Sequence, residues 1–502
     1  MANCNTDLAC IRISGFDKYS SVKERFPVFS PKPLSRVAMS QAKHVLAQVL
    51  DRVDADLETS LERLFEWLRI QSISTDPAYR EECVKAAEWL NGELAEIGFE
   101  SSLRPTGGHP VVLAHSRRPD RPHALFYGHY DVQPVDPLEL WDRPPFEPAL
   151  VKLPDGRKVI GARGACDDKG QVMTFIEACR AWRKVTGELP LSITTLVEGA
   201  EEDGSKFLPE FVAANRDELK ADIGLVCDTG MWDSDTPAIT SSLRGLVYEE
   251  IIVRCAAMDL HSGRFGGAAQ NPIRILSQII ADLHDADGRV TLTGFYDGVH
   301  ETPPEVLKQW AALGLTAESF LEPIGLKYPA GEKGRMVIEQ IQSRPTCDVN
   351  GIIGGYTGEG TKTVIASEAR CKVSFRLVGD QDPAKISEAF EAFVRERIPA
   401  DCSVEFIHHK GSRALSLPYD MQALSAAKSA LKEEWGVEPI TIGSGGSIPI
   451  VGNFKRTLEL DSLLVGFGLD DDRMHSPNEK YDLKSFHKGI RSWVRIIAAL
   501  AE

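Results

Sequence analysis

No apolar run in these 502 residues approaches the ~18 that a bilayer-spanning helix needs, which argues against a membrane-embedded activity. The N-terminus also lacks a charged stretch followed by an apolar one, so an unexported, cytoplasmic protein without a membrane partner is expected. Positive charge is in deficit: 57 Lys+Arg face 73 Asp+Glu for a net charge of −16, and no basic stripe compensates. A nucleic-acid partner is therefore not expected. The ten cysteines form no C-x-x-C pair and keep no regular spacing, so they read as reduced thiols. A G-x-S-x-G elbow is absent, which leaves Ser-His-Asp catalysis unsupported. Neither a G-x-G-x-x-G nor a G-x-x-x-x-G-K-[ST] loop occurs; in Gly354–Thr363 the only lysine, Lys362, does not follow a glycine.

What is present exceeds one hydrophobic core, since single cores stop growing at roughly 250–300 residues. Residues 1–38 show no sustained period and read as an extension, disordered or upstream of the true start, and Met39 opens a helical pattern. Leu57, Leu61, Leu64, Phe65 and Leu68, then Ala86, Leu90, Leu94 and Ile97, predict two amphipathic helices. Short apolar runs follow at Ala124–Tyr127, Leu191–Val197, Ile223–Cys227 and Leu463–Phe467, interleaved with helical stretches such as Gln171–Arg183. This alternation predicts an α/β fold around a mainly parallel sheet flanked by helices. Between about Leu243 and Lys410 the texture changes, with strands at Val247–Arg254 and Ala369–Val378 and helices near Pro272–Leu283 and Pro383–Arg397. The expected organisation is a catalytic domain over 39–242 and 411–502, interrupted by an inserted α+β domain over 243–410.

Five segments end in metal-binding side chains: His129-Tyr-Asp131, Asp167-Asp168-Lys-Gly, Glu201-Glu202, Cys-Asp228-Thr-Gly and His475-Ser-Pro-Asn-Glu. A carboxylate-rich N/O set without thiolate suits zinc, manganese or cobalt in an open catalytic site. Most of the segments follow the apolar runs, and open α/β sheets bind ligands at the carboxyl ends of their strands. His129 and Asp131 share a face of an extended segment, so Asp131 can orient the imidazole; a strand-end His with a capping Asp is the alternative. Adjacent Asp167 and Asp168 need nearby positive charge, which a metal pair bridged by Asp167 supplies. The alternative has Asp168 as a helix N-cap and Asp167 solvated. Glu201 and Glu202 reach one site only if the chain turns, as Gly199 and Gly204 permit; Glu202 then binds metal and Glu201 serves as general base. The competing reading is an exposed acidic loop. Asp470-Asp471-Asp472 is expected to be a solvated loop, and Cys166 and Cys227 small packing residues.

In this order, these segments together with Asp259-Leu-His261-Ser-Gly resemble the M20 metallopeptidase family, in particular its dipeptidase branch of cytosolic non-specific dipeptidases and carnosinases, over roughly residues 45–500. The resemblance implies one divalent ion held by His129, Asp167 and Asp228 and a second by Asp167, Glu202 and His475, with Zn2+ foremost and Mn2+ or Co2+ as alternatives. It makes the inserted domain a lid that also carries a homodimer contact. His261 would reach the partner subunit's site to stabilise the oxyanion, and Arg376 would bind the substrate carboxylate. Thr363, Ser447 and His409 match further substrate contacts. The implied reaction is hydrolysis of the amide bond of dipeptides or small peptides, by a metal-activated water with Glu201 as base. Two alternatives stay open: an N-acyl amino acid amidohydrolase such as a deacylase or desuccinylase, and a catalytically silent relative that binds metal or peptide. Asp228 is followed by Thr-Gly-Met-Trp where that branch tends to place an aromatic, so Trp232 is a candidate to line the pocket.

Overall fold

The computed structural model describes residues 36–409, 411–444 and 448–502. The extension expected over 1–38 lies almost wholly outside the described residues, and the first helix, Arg36–Ala55, is already under way at Met39. The apolar runs beyond it pair into a nine-stranded sheet. At its centre Ser192–Glu198, His123–His129, Ile223–Val226 and Ser462–Leu464 lie side by side and parallel. Val111–Ser116 and Glu100–Arg104 extend one side antiparallel, and Ala238–Leu243 begins the other side, where it also pairs with Leu415–Ser416 and Ile440–Ser444.

Successive strand residues face opposite sides of a sheet. Ala124 and Phe126 accordingly enter the larger core, while Leu125 and Tyr127 enter a second core on the other face with Leu208, Val212, Ile450 and Phe454. A strand buried on both faces has no polar side to display, which is why these strands read as mainly apolar runs without alternation. In the larger core Phe175 of the Lys169–Thr186 helix stacks on Phe126 at 3.8 Å, and Trp493 of the C-terminal helix Leu483–Leu500 meets both rings edge-on. This packing holds the helix that follows Asp167-Asp168 against the strand that ends in His129. The mixed α/β class expected from the sequence is the class observed. No helix among the described residues is long and apolar enough to cross a membrane.

A separate four-stranded antiparallel sheet has the order Thr346–Gly354, Glu368–Leu377, Gly245–Arg254, Ser403–His408. Only one of its faces is covered, by the helices Pro272–Ala281 and Pro383–Glu396, and its central strands alternate accordingly: Val247, Ile251 and Val253 point into that core. Not all of the chain between these strands stays with this sheet. Val306, Trp310 and Ile338 pack on Ile440 of the nine-stranded sheet, the Trp310 indole donates to the Thr441 carbonyl at 2.8 Å, and the Gly443 amide donates to Gln342 at 2.9 Å.

Candidate metal centre

The parallel strands deliver three of the expected ligands directly. His129 is the last residue of its strand, Asp228 follows Ile223–Val226, and Glu202 lies in the turn after Ser192–Glu198. Asp167 precedes the Lys169–Thr186 helix, and His475 comes from the loop after Ser462–Leu464, in the left-handed region at φ 61°. These residues form two trios, His129–Asp167–Asp228 and Asp167–Glu202–His475, within each of which one ligand atom per residue lies within 4.8 Å of the others. Asp167 belongs to both. Its two oxygens face different histidines, Oδ1 at 3.1 Å from His129 Nε2 and Oδ2 at 2.8 Å from His475 Nε2. The sequence had left open a solvated Asp167 and a capping Asp168. Asp167 is instead nearly buried, and the Asp168 side chain makes no capping bond but accepts from the His129 amide at 3.1 Å.

Several groups hold the ligand loops together. His129 Nδ1 lies 3.1 Å from the Asp131 carbonyl and 3.3 Å from its carboxylate. Both are acceptors, so Nδ1 carries the proton and the Nε2 lone pair is left for a cation. The Asp131 carboxylate also accepts from Ser74 Oγ at 2.6 Å and from the amides of Glu201 and Glu202 at 3.3 and 3.1 Å, so it ties the His129 strand to the acidic turn. That turn needs Gly199, where a Cβ would sit 2.0 Å from the Tyr130 ring. Gly170 is required for a similar reason, since its Cβ would fall 1.8 Å from the Ala165 carbonyl oxygen. Just before Gly170 in the Asp-Asp-Lys-Gly motif, the buried Lys169 ammonium donates to the carbonyls of Trp67 and Ile70, at the end of the Leu57–Leu68 helix, and burial pulls it down to about 7.

Glu479 closes the His-Ser-Pro-Asn-Glu motif, whose sequence alone does not disclose its role. Its fully buried carboxylate accepts from the amides of Gly164, Cys166 and Asp167 at 2.9–3.0 Å and from Arg163 at 2.8 Å. It thereby joins the His475 loop to the loop that carries Asp167. Of the three consecutive aspartates 470–472, Asp470 and Asp471 are exposed as a solvated loop requires, and Asp472 departs from that expectation. Asp472 is fully buried, because Lys480, the Leu469 amide and the Cys166 thiol all donate to it.

The charge balance of the cluster tests whether it suits a metal pair. Among the described residues no lysine or arginine pairs with Asp167, Glu202 or Asp228. Burial, reinforced by Asp167, pushes Asp228 up to about 7. Among the described residues Glu202 Oε1 is buried without a hydrogen-bond partner, while Oε2 accepts from Gln133 at 2.6 Å. Three carboxylates gathered round two imidazoles, with a spare buried oxygen, are short of positive charge in the way that two divalent cations correct. Glu201 stands outside both trios; burial raises its carboxyl above the usual carboxylate range against the opposing pull of His129.

The other candidates lie elsewhere. His261 is exposed at the start of the short helix Ser262–Phe265, where its Nδ1 accepts from the Gly263 amide at 3.0 Å. Thr363 directly precedes Val364, which pairs with His261 across a two-stranded ribbon, and the Thr363 carbonyl accepts from the Ser262 amide. Arg376 sits on Glu368–Leu377, and His409, exposed beyond Ser403–His408, meets the Tyr248 ring edge-on at 5.2 Å. Ser447 lies outside the described residues. Among the described residues no hydrogen bond or ion pair connects His261, Thr363, Arg376 or His409 to the two trios. Arg244 was not singled out from the sequence. Among the described residues its Nε is buried without a partner, and burial with the neighbouring charge of Arg376 holds its guanidinium down at about 10.

The profile of peptidase family M20/M25/M40 matches residues 125–499, which include every ligand of both trios. The chain belongs to this family. Among its M20 relatives, a Cys-Gly metallodipeptidase of Schizosaccharomyces pombe is 30% identical over 92% of this chain and 99% of its own length. The human Beta-Ala-His dipeptidase is 29% identical over 91% of this chain and 93% of its own. Of solved structures, an M20 family metallo-carboxypeptidase from Sulfolobus solfataricus superposes with a TM-score of 0.73 at 30% identity, covering 88% of this chain and 99% of that one. The protein is thus a hydrolytic peptidase of the M20 type, and the family resemblance read from the ordered motifs holds over the whole fold.

Proposed function

We propose that the protein hydrolyses the amide bond of dipeptides and similarly small peptides. The observation that carries this reading is the pair of trios sharing Asp167. His129, Asp167 and Asp228 would hold one divalent ion and Asp167, Glu202 and His475 the other; Zn2+ suits this donor set, and Mn2+ and Co2+ are alternatives. Such a pair supplies Lewis acidity at the scissile carbonyl and makes a water acidic enough to ionise near neutral pH. Glu201 takes the proton of that water and returns it to the departing amine. It suits this role because its carboxylate is raised by burial and belongs to neither trio. Asp131 keeps His129 in the tautomer that offers Nε2.

Arg376, with Arg244 beside it, binds the substrate's free carboxylate, and Thr363, His409 and Ser447 contribute further contacts. His261 acts in the active site of the partner subunit of a homodimer. Its Nδ1 is taken by the Gly263 amide, so its neutral ring presents Nε2–H as the donor an oxyanion needs. The relatives named for Cys-Gly and Beta-Ala-His dipeptides support a dipeptide substrate.

The test is to strip the purified protein with chelator and reload it separately with zinc, manganese and cobalt. Each form is assayed on free dipeptides and on the matching N-acetyl and N-succinyl amino acids. Metal-dependent cleavage of free dipeptides is expected. Cleavage of the acylated compounds alone would replace this reading with a deacylase, and no turnover under any condition would leave a silent relative.

A further inference from the structure

Ten scattered cysteines gave no sign of pairing in the sequence, but strand register brings two of them together. Gly245–Arg254 and Ser403–His408 are antiparallel with Arg254 opposite Ser403, so one step further along the ladder Cys255 stands opposite Cys402. The face is set by alternation: Ile251 pairs with Phe406 and Val253 with Val404, and these side chains, Cys255 and Cys402 all pack on the helix-covered core of the antiparallel sheet. The Cys255 amide donates to the Ser367 carbonyl, on the side away from Cys402, and the Cys402 amide donates to the Pro399 carbonyl. The two cysteines therefore form a non-hydrogen-bonded cross-strand pair, the kind in which Cα atoms approach to about 4.5 Å and side chains are closest. That separation lies inside the roughly 4.4–6.8 Å a disulfide spans. Both residues are free thiols and only half-buried, so a small reagent can reach them. Cys347 and Cys371 in the same sheet have no such geometry; they lie opposite Phe375 and Ile352 and are buried.

We infer that Cys255 and Cys402 are a reversible dithiol–disulfide site on the antiparallel sheet, closed by exchange with a low-molecular-weight disulfide such as oxidised glutathione. One cysteine thiolate attacks the external disulfide, forming a mixed disulfide and releasing one small thiol. The second cysteine attacks the protein sulfur of that mixed bond, forms the Cys255–Cys402 bond and releases the other small thiol. The protein loses two electrons and two protons, and the external disulfide gains both. Burial and the facing thiol push Cys255 up to about 12, so little of it is thiolate at neutral pH and closure is slow. The site lies at the root of the segment that leads to His261, where Asp259 holds Ser367 through its amide and hydroxyl. The bridge would fasten that root to the outer strand. It would also close a long loop of the unfolded chain and so raise thermal stability.

The metal-loaded protein would be incubated with oxidised glutathione, blocked with an alkylating agent, and mapped by proteolysis and mass spectrometry, in parallel with a reduced sample. A Cys255–Cys402 cross-linked peptide that dithiothreitol reverses is expected, with a melting temperature several degrees above that of the reduced protein. In Cys255→Ser and Cys402→Ser the cross-link and the stabilisation should vanish, and the remaining cysteine should be trapped as its glutathione adduct. The inference is overturned if the wild type keeps both cysteines alkylatable after prolonged exposure. It is equally overturned if the wild type stops at a glutathione adduct, or if either serine variant keeps the stabilisation. None of these readouts depends on hydrolytic activity.

Discussion

The loops at the ends of the parallel strands and the residues on and around the antiparallel sheet are built on opposite plans. In the first region His129 is fully buried, and Asp131, Lys169 and Glu479 each tie a ligand loop to a distant part of the chain. In the second, His261, Thr363 and His409 are exposed and reach none of the trios. A metal centre tolerates little error in ligand position, so its supports are assembled with the fold. Substrate must enter and leave, so the proposed substrate contacts suit a surface that can approach and withdraw. The difference predicts that substitutions of the trio residues and their supports in the first region change metal content, while substitutions in the second change kinetics at constant metal content.

The largest effect should follow Asp167→Asn. The shared carboxylate serves both trios, so its loss should remove both ions and take activity to background, as measured by elemental analysis alongside turnover. Retention of one tightly bound ion would show that the trios are independent. Glu201→Gln should separate chemistry from metal binding inside the first region: both ions stay and kcat falls by about 10²–10⁴, the range for losing a general base. Full activity in that variant would remove Glu201 from the mechanism.

His261→Ala carries the comparison into the second region. Turnover should fall about 10²-fold or more with metal content unchanged. Mixing this variant with Arg376→Ala under demonstrated subunit exchange should restore activity, because one mixed site then contains both side chains. Absence of recovery would place His261 in its own subunit's site or outside catalysis. Glu479→Gln should have a milder effect in the first region. It weakens the cradle of amides under Asp167, and metal affinity should drop about 10–100-fold, the cost usual for groups that support a ligand. Unchanged affinity would show that the loops hold their place without it.

Which parts of this were readable from sequence follows from how local each signal is. The proposed ligands stand out because a metal-type side chain at the end of an apolar run is a local pattern, and the parallel sheet turns chain order into convergence at one edge. Glu479 could be quoted as part of a motif, but its partners are backbone amides more than three hundred residues earlier, which no spacing announces. Asp472 read as solvated because three consecutive aspartates normally are; its burial rests on Lys480, whose ammonium enters the same interior. The facing of Cys255 and Cys402 depends on the register of two strands far apart in the chain. The docking of Trp310 onto the Ile440–Ser444 strand was equally out of reach, since the sequence assigned that tryptophan wholly to the insertion.

Arg244 is the sharpest small test of the comparison, because it stands where the two sheets meet, between the Ala238–Leu243 and Gly245–Arg254 strands. An arginine in an apolar stretch draws no attention in sequence. Among the described residues its Nε is buried without a partner and neither guanidinium forms an ion pair; the charge of Arg376 opposes its own, and the more weakly acting Asp348 pulls the other way. Two unpaired guanidinium groups side by side are costly unless an anion joins them, and a planar fork of donors fits a carboxylate. Arg244→Met keeps much of the length and removes the charge. Losing one charge-assisted hydrogen bond of about 1.5–3 kcal/mol should raise KM for a free dipeptide about tenfold or more while leaving metal content and kcat nearly unchanged. The same dipeptide with its C-terminus amidated offers no carboxylate, so its kinetics should hardly differ between Arg244→Met and wild type. An equal rise in KM for both compounds would make Arg244 a structural prop of the junction, and the carboxylate would then belong to Arg376 alone.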